Sequence, residues 1–559
     1  MAGEPTPGAP GATGGPARST PGASGALAPG TPGASGTPAA SGTPAASGTP
    51  AASGTPAASG TPAASGTLAP GTPAASGAVR STHADLTWMS ATEIAREVRA
   101  RRLRVSDIAE HFIERIERLN PALNAFVVFD PAQVRADAHR LDAAIDAGDD
   151  VGPLAGVPYS LKESTAARGL PHTGSMKPME GHRAAHDAVV TQRLAAAGGL
   201  FMGKTNLPEN GYYCGTENHL YGSTRNPWKL DHSPGGSSGG ASASVAAGLT
   251  PVADGSDGAG SIRVPAAMCG LVGFKPSTGR IPNELLPYRH ATFISHGIIS
   301  RSVADVALLL NVESGPDAVD PLSLPSDGTD YVAALEGDLS GWRIAWSPDL
   351  GIGARDDTDP EILALCEAAL PAFEERGATI VEASPEWPDP EEAFWNGVWL
   401  PAYAPDLGAY DWGGMRASGT VDEELWEIVS TGAASNGDVV AAAELVRGAF
   451  YRAFAAFMGS HDILLSPTVR VPGYPAAHWG PSHLDGQTLR RRHLGWINTY
   501  PFNFTGTPAA SVPVGLTASG LPVGLQLAGG HLADARVLRA AANFEAAHPW
   551  AATHHPPHS

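Results

Sequence analysis

Cysteine, positive charge and long apolar runs are all scarce in this chain of 559 residues. Only three cysteines occur, Cys214, Cys269 and Cys366. They are too few and too scattered for a disulfide framework or a zinc site, and the expected compartment is the reducing cytoplasm. Lysine and arginine number 36 against 56 acidic residues, a formal net charge of −20. That sign argues against nucleic acid as the main partner, because phosphate contacts need clustered basic side chains. No apolar run is long enough to suggest a membrane span.

Aromatic residues are missing altogether before Trp88, and five perfect S-G-T-P-A-A hexamers fill Ser35 to Ala64. Such a segment buries too little apolar surface to offset its chain entropy, so residues 1–80 are expected to be a disordered tail with polyproline II character. It has neither the basic start nor the apolar core of a secretory leader. Residues 81–550 are expected to form the catalytic domain. Residues 551–559 are a His- and Pro-containing tail, in which His554, His555 and His558 are expected to be disordered rather than metal ligands.

Glycine and small hydroxyl residues, by contrast, are concentrated between Ser233 and Lys275, where G-G-S-S-G-G is followed by D-G-A-G-S-I-R-V-P-A-A. Without a Cβ, glycine lets backbone amides turn toward one point and approach a bound group closely. Converging N–H groups beside a serine are what acyl transfer needs, since they stabilise the oxyanion that forms as a carbonyl is attacked. Gly239 to Ala247 reads as a small-residue helix, Pro251 to Asp254 as a short strand, and a second helical turn begins near Ile262. This order brings Ser237 and Ser261 together near helix N-termini, which favour a forming anion.

These two motifs resemble the amidase signature family of serine hydrolases. The resemblance implies that Ser237 is the serine preceded by a cis peptide bond and that Ser261 is the nucleophile. It also implies a catalytic lysine at the end of a strand, which Gly156-Val157-Pro158-Tyr159-Ser160-Leu161-Lys162 supplies. Read as a buried strand, Val157–Leu161 delivers Lys162 into the interior, where desolvation lowers its pKa toward that of a usable base. The resemblance further implies an oxyanion hole of the Gly258, Ala259, Gly260 and Ser261 amides. Ser238 and Arg263 are expected to support the relay by hydrogen bonds, and Asp257 to anchor the loop. Ala259 stands where the family often has glycine; a backbone donor makes that change unimportant.

The implied fold is α/β, a central mixed sheet flanked on both sides by helices. The implied activity is hydrolysis of a carboxylic amide, with an esterase as the nearest alternative and no metal or organic cofactor. The resemblance also leaves a homodimer open. The stretch after Lys275 does not resemble the tRNA-amidotransferase branch, which favours a stand-alone enzyme. Glu386 to Ser435 is rich in tryptophan, suited either to lining a pocket for an apolar or aryl group or to core packing.

Three rival readings remain. Gly198 to Thr205 fits the phosphate-loop pattern G-x-x-x-x-G-K-[ST], but its expected context, helix then strand, is wrong for nucleotide binding. Gly236 to Gly240 fits a G-x-S-x-G elbow with Ser238 as nucleophile, yet no good strand precedes it. A catalytically dead binding protein on the same fold is opposed by the intact Lys162, Ser237 and Ser261.

Overall fold

The computed structural model describes residues 83–353 and 357–559; the repeat-bearing tail therefore lies outside the described residues. Eleven strands form one sheet: β1 (Phe126–Val128), β2 (Pro158–Lys162), β3 (Leu200–Thr205), β4 (Val252–Asp257), β5 (Val272–Lys275), β6 (Ser295–Ser300), β7 (Arg343–Trp346), β8 (Thr379–Glu382), β9 (Ile463–Pro467), β10 (Ala509–Leu516) and β11 (Pro522–Ala528). Their order is β1-β3-β2-β4-β6-β5-β10-β11-β9-β7-β8. Parallel pairs stand near both ends, β3-β2-β4 and β9-β7-β8, while the middle is antiparallel, so the sheet is mixed.

Successive strand residues point to opposite faces, and the packing follows that rule. Val252 and Ile298 join the large cluster formed with the entry helices Ala91–Arg99 and Val105–Leu123 and with Val303–Glu313. Their neighbours Ala253 and Ile299 join a separate cluster with the helices Gly239–Ala246 and Arg263–Cys269. Helices thus cover both faces, as expected. Helix starts also follow local chemistry: Ser90 and Glu93 form a capping box, and Asp130 caps the helix Pro131–Ala147 with proline in its first turn.

A third, aromatic cluster takes up most of the tryptophan-rich stretch. Trp387 stacks on Phe450 with centroids 4.1 Å apart, and Trp395, Trp399 and Trp412 are buried beside it. Core packing therefore accounts for most of these rings. Tyr500–Thr505 forms a helix, and β10 begins only at Ala509. One expectation needs correction. Two of the three tail histidines are held: His555 stacks on Trp88 at 3.9 Å and His554 on Trp550 at 4.1 Å. Among the described residues, no helix is long and apolar enough to cross a membrane.

Candidate active site

β2 is buried at every position and ends on Lys162. The parallel register that pairs Ser160 with Ala253 of β4 carries Lys162 alongside Ser256. Its Nζ lies 2.7 Å from Ser237 Oγ and 3.0 Å from Ser256 Oγ, with all three side chains buried. Burial pushes the ammonium from its ordinary 10.5 down to about 7, against the pull of Asp254 and Asp257. The peptide bond between Gly236 and Ser237 is cis. Ser261, in the turn before the helix Arg263–Cys269, lines the same cavity of about 330 Å³ as Lys162, Ser237 and Ser256.

Asp257 organises the turn. Its carboxylate accepts from the Gly260 N–H at 2.7 Å and the Ile262 N–H at 3.3 Å, and from Nε and Nη2 of Arg263 at 2.9 Å each. Burial alone would raise its pKa, but the Arg263 guanidinium beside it holds the carboxyl down at about 2. The other Arg263 N–H groups reach Thr499 O, Gln526 Oε1 and Asn503 Oδ1, so a fully buried guanidinium has a partner for every donor face. Thr499 Oγ1 in turn donates to the Ala259 carbonyl at 2.5 Å.

This geometry amends the expected oxyanion hole. The Gly260 N–H is occupied by Asp257 and is not available to a substrate; what position 260 requires is glycine's backbone, at φ +135°, where a Cβ would overlap Thr499 Oγ1. The amides of Gly258, Ala259 and Ser261 have no partner among the described hydrogen bonds. Ser238 touches the expected nucleophile through its backbone, its N–H donating to the Ser261 carbonyl at 3.0 Å, whereas the Arg263 side chain touches none of Lys162, Ser237 and Ser261. Ser238 Oγ lies 3.3 Å from both the amide N and the carbonyl O of Ser256, which in turn meets Lys162, and Arg263 acts through Asp257.

Sequence reasoning missed Ser256, Thr499 and Asn503. A signal existed for the first: Asp254 and Ser256 alternate on a strand buried throughout, and period-two polarity in a buried strand marks a face turned to a site. Part of the tryptophan-rich stretch, left open between pocket lining and core packing, does line the cavity. Trp399 ends a π-helical turn, Trp395–Trp399, and reaches the cavity with Phe293, Tyr403, Tyr410 and Asp406.

The rival motifs lose their context. Lys204 lies within β3, buried, with its ammonium given to the Pro171 carbonyl, so no phosphate loop opens a helix there. Ser238 is fully buried, and no histidine is among the residues lining the cavity. A base in contact with a serine, on a cavity that holds a second serine beneath free amides, belongs to the chemistry of acyl transfer.

The Amidase family model matches residues 107–538, and the chain belongs to the amidase signature family. It is 51% identical over 470 residues to an acylamidase of Rhodococcus erythropolis, covering 84% of this chain and 98% of that protein. It is 37% identical to a glutamyl-tRNA(Gln) amidotransferase subunit of Synechococcus sp. strain CC9902, covering 79% and 92%. A crystal structure of a bacterial aryl acylamidase from the same family matches with a TM-score of 0.78 at 33% identity, covering 83% of this chain and 97% of that one. The protein is accordingly an amidase, a hydrolase of carboxylic amide C–N bonds.

Proposed function

We propose that Ser261 is the nucleophile of a Lys162–Ser237–Ser261 relay acting on amides with an apolar or aryl substituent. Neutral Lys162 takes the Ser237 proton as Ser237 takes that of Ser261, whose Oγ bonds to the amide carbon. The Gly258, Ala259 and Ser261 amides receive the negative oxygen. The proton returns through Ser237 to the leaving nitrogen as the C–N bond breaks, leaving an acyl-enzyme and a free amine. Water then adds by the same path and releases the acid. An aryl ester offers the same carbonyl and should form the same acyl-enzyme.

The observation that carries this reading is the 2.7 Å contact between a buried Lys162 and Ser237 at the cavity floor. The aromatic wall of Phe293, Trp399, Tyr403 and Tyr410 supports an aryl or apolar substituent. So does the likeness to an acylamidase and an aryl acylamidase; the 37% identity to the amidotransferase relative is well below the 51% to the acylamidase. Residues 81–550 would form the catalytic unit, and the three buried free cysteines accord with a cytoplasmic location. A homodimer belongs to the same proposal, to be read by light scattering.

The test is intact-mass analysis after a fluorophosphonate probe, with peptide mapping, followed by turnover of acetanilides, alkyl amides and glutamine. One adduct on Ser261 and preferential anilide turnover are expected. An adduct on Ser238, or glutamine as the best substrate, would overturn the reading.

A further inference from the structure

The cavity carries a charge that the relay does not use. Asp406 lies on the short 3₁₀ turn Ala404–Gly408 and lines the cavity together with Lys162 and Ser261. Lys162 meets Ser237 and Ser256, whereas the Asp406 carboxylate meets Asn210. Its one hydrogen bond is from Asn210 Nδ2 to Oδ2 at 2.6 Å; no lysine, arginine or histidine among the described residues acts on it. The side chains that feel its charge are Tyr288, Tyr403 and Tyr410, and the last two line the cavity as well. Tyr403 in turn stands 5.5 Å from Trp399, centroid to centroid.

A half-buried carboxylate among aromatic rings, without a cation, is an unfavourable arrangement in a free protein. It becomes favourable when a cation enters, because the carboxylate supplies the counter-charge and the ring faces attract the same positive group. Resting on the relay reading above, we propose that the cavity selects amides bearing a cationic amine, with Asp406 as counter-charge and Tyr403 and Tyr410 as its walls. Asn210, which lines the cavity as well, holds the carboxylate, and Tyr403, just before the turn, donates to the Asn210 carbonyl at 3.4 Å, which ties this segment to the loop beside Ser237. Burial holds the Asp406 carboxyl up at about 6, so it is ionised and able to pair in neutral and mildly alkaline buffer.

The experiment compares two acetanilides of similar size, para-aminomethyl and para-hydroxymethyl, on the full chain at mildly alkaline pH. The ammonium substrate should show a kcat/KM about tenfold higher, the sum of one ion pair at a partly exposed site and a cation–ring contact. In Asp406→Asn the advantage should collapse to about one. Equal values in the parent enzyme, or an equal fall for both substrates in the variant, would overturn the proposal, since a merely structural carboxylate lowers both alike. Should the variant not fold, the unaltered protein still decides: benzylammonium should bind by calorimetry and slow Ser261 labelling, and benzyl alcohol should do so about tenfold less. Equal binding of the two would sink it. An unlabelled Ser261 with benzylammonium still bound would instead sink the relay and leave the cation site standing.

Discussion

In the proposed relay Lys162 acts as a base only when neutral, and this makes pH the sharpest perturbation of that proposal. Burial lowers its pKa from 10.5 to about 7. At pH 7.5 roughly three-quarters of the molecules then carry a neutral amine, against about one in a thousand for an exposed lysine. Burial thus raises the available base by nearly three orders of magnitude, close to 4 kcal/mol on the scale where one pKa unit is about 1.4 kcal/mol. For a neutral acetanilide, kcat/KM should rise about tenfold per pH unit below about 7 and level off above it. Stopped assays from pH 5 to 9, with tryptophan fluorescence to confirm folding at each pH, measure this directly. Asp406 titrates nearby at about 6, so the profile is repeated with Asp406→Asn, whose midpoint should stay near 7. A flat profile from pH 5 to 8, or a limb centred near 10, would refute the buried base.

Ser261→Ala should abolish fluorophosphonate labelling and lower kcat at least about a thousandfold with an unchanged melting temperature. Lys162→Ala should lose activity comparably, and raising the pH should not restore it, because no exposed base takes its place. Asp257→Asn leaves a buried guanidinium without its counter-charge, and breaking such a pair costs about 3–5 kcal/mol; a melting temperature lower by several degrees is expected, and an unchanged one would show that Asp257 does not hold the turn. The Asp257 pKa is depressed, so the stability it confers is complete above the ordinary value of 3.8 and is lost as pH falls toward about 2, which acid unfolding of the parent and variant reads. Lys275→Met should leave the catalytic limb near pH 7 in place, and a displaced limb would mean that the base has been misassigned.

What was legible in the sequence was local. The strand before Lys162, the turn before Ser261 and the capped entry helices depend on residues near one another in the chain, and each stands where its pattern put it. Thr499, Asn503 and Gln526 were not legible as parts of the site, because their roles come from meeting Asp257 and Arg263 across more than two hundred positions. The Gly260 amide was misread for a related reason. Sequence shows that a glycine-rich turn offers N–H groups, but which of them an aspartate three residues earlier will take depends on the turn's geometry. The tail histidines were misread because their partners, Trp88 and Trp550, include a ring from the far end of the domain. Trp399 and Asp406 come from a stretch most of whose tryptophans serve the core, and composition does not separate a ring facing a cavity from one facing a neighbour.

The choice of Lys162 over other lysines cannot rest on its lowered pKa. Three buried lysines share that property: burial brings Lys162 and Lys275 to about 7 and Lys204 to about 8. Their partners separate them. Lys204 donates a hydrogen bond to the Pro171 carbonyl, and Lys275 to the Pro276 carbonyl at 2.8 Å. A carbonyl oxygen accepts but has no proton to return, so either lysine can lose or gain charge without moving a proton toward a reacting atom. Lys162 meets two hydroxyls, and a hydroxyl is both donor and acceptor. In the proposed relay, a neutral Lys162 gives the Ser237 proton a place to go, and Ser237 is then free to take the next one, from Ser261. Desolvation makes a base of all three lysines; the hydroxyl beside it gives only Lys162 a proton to move.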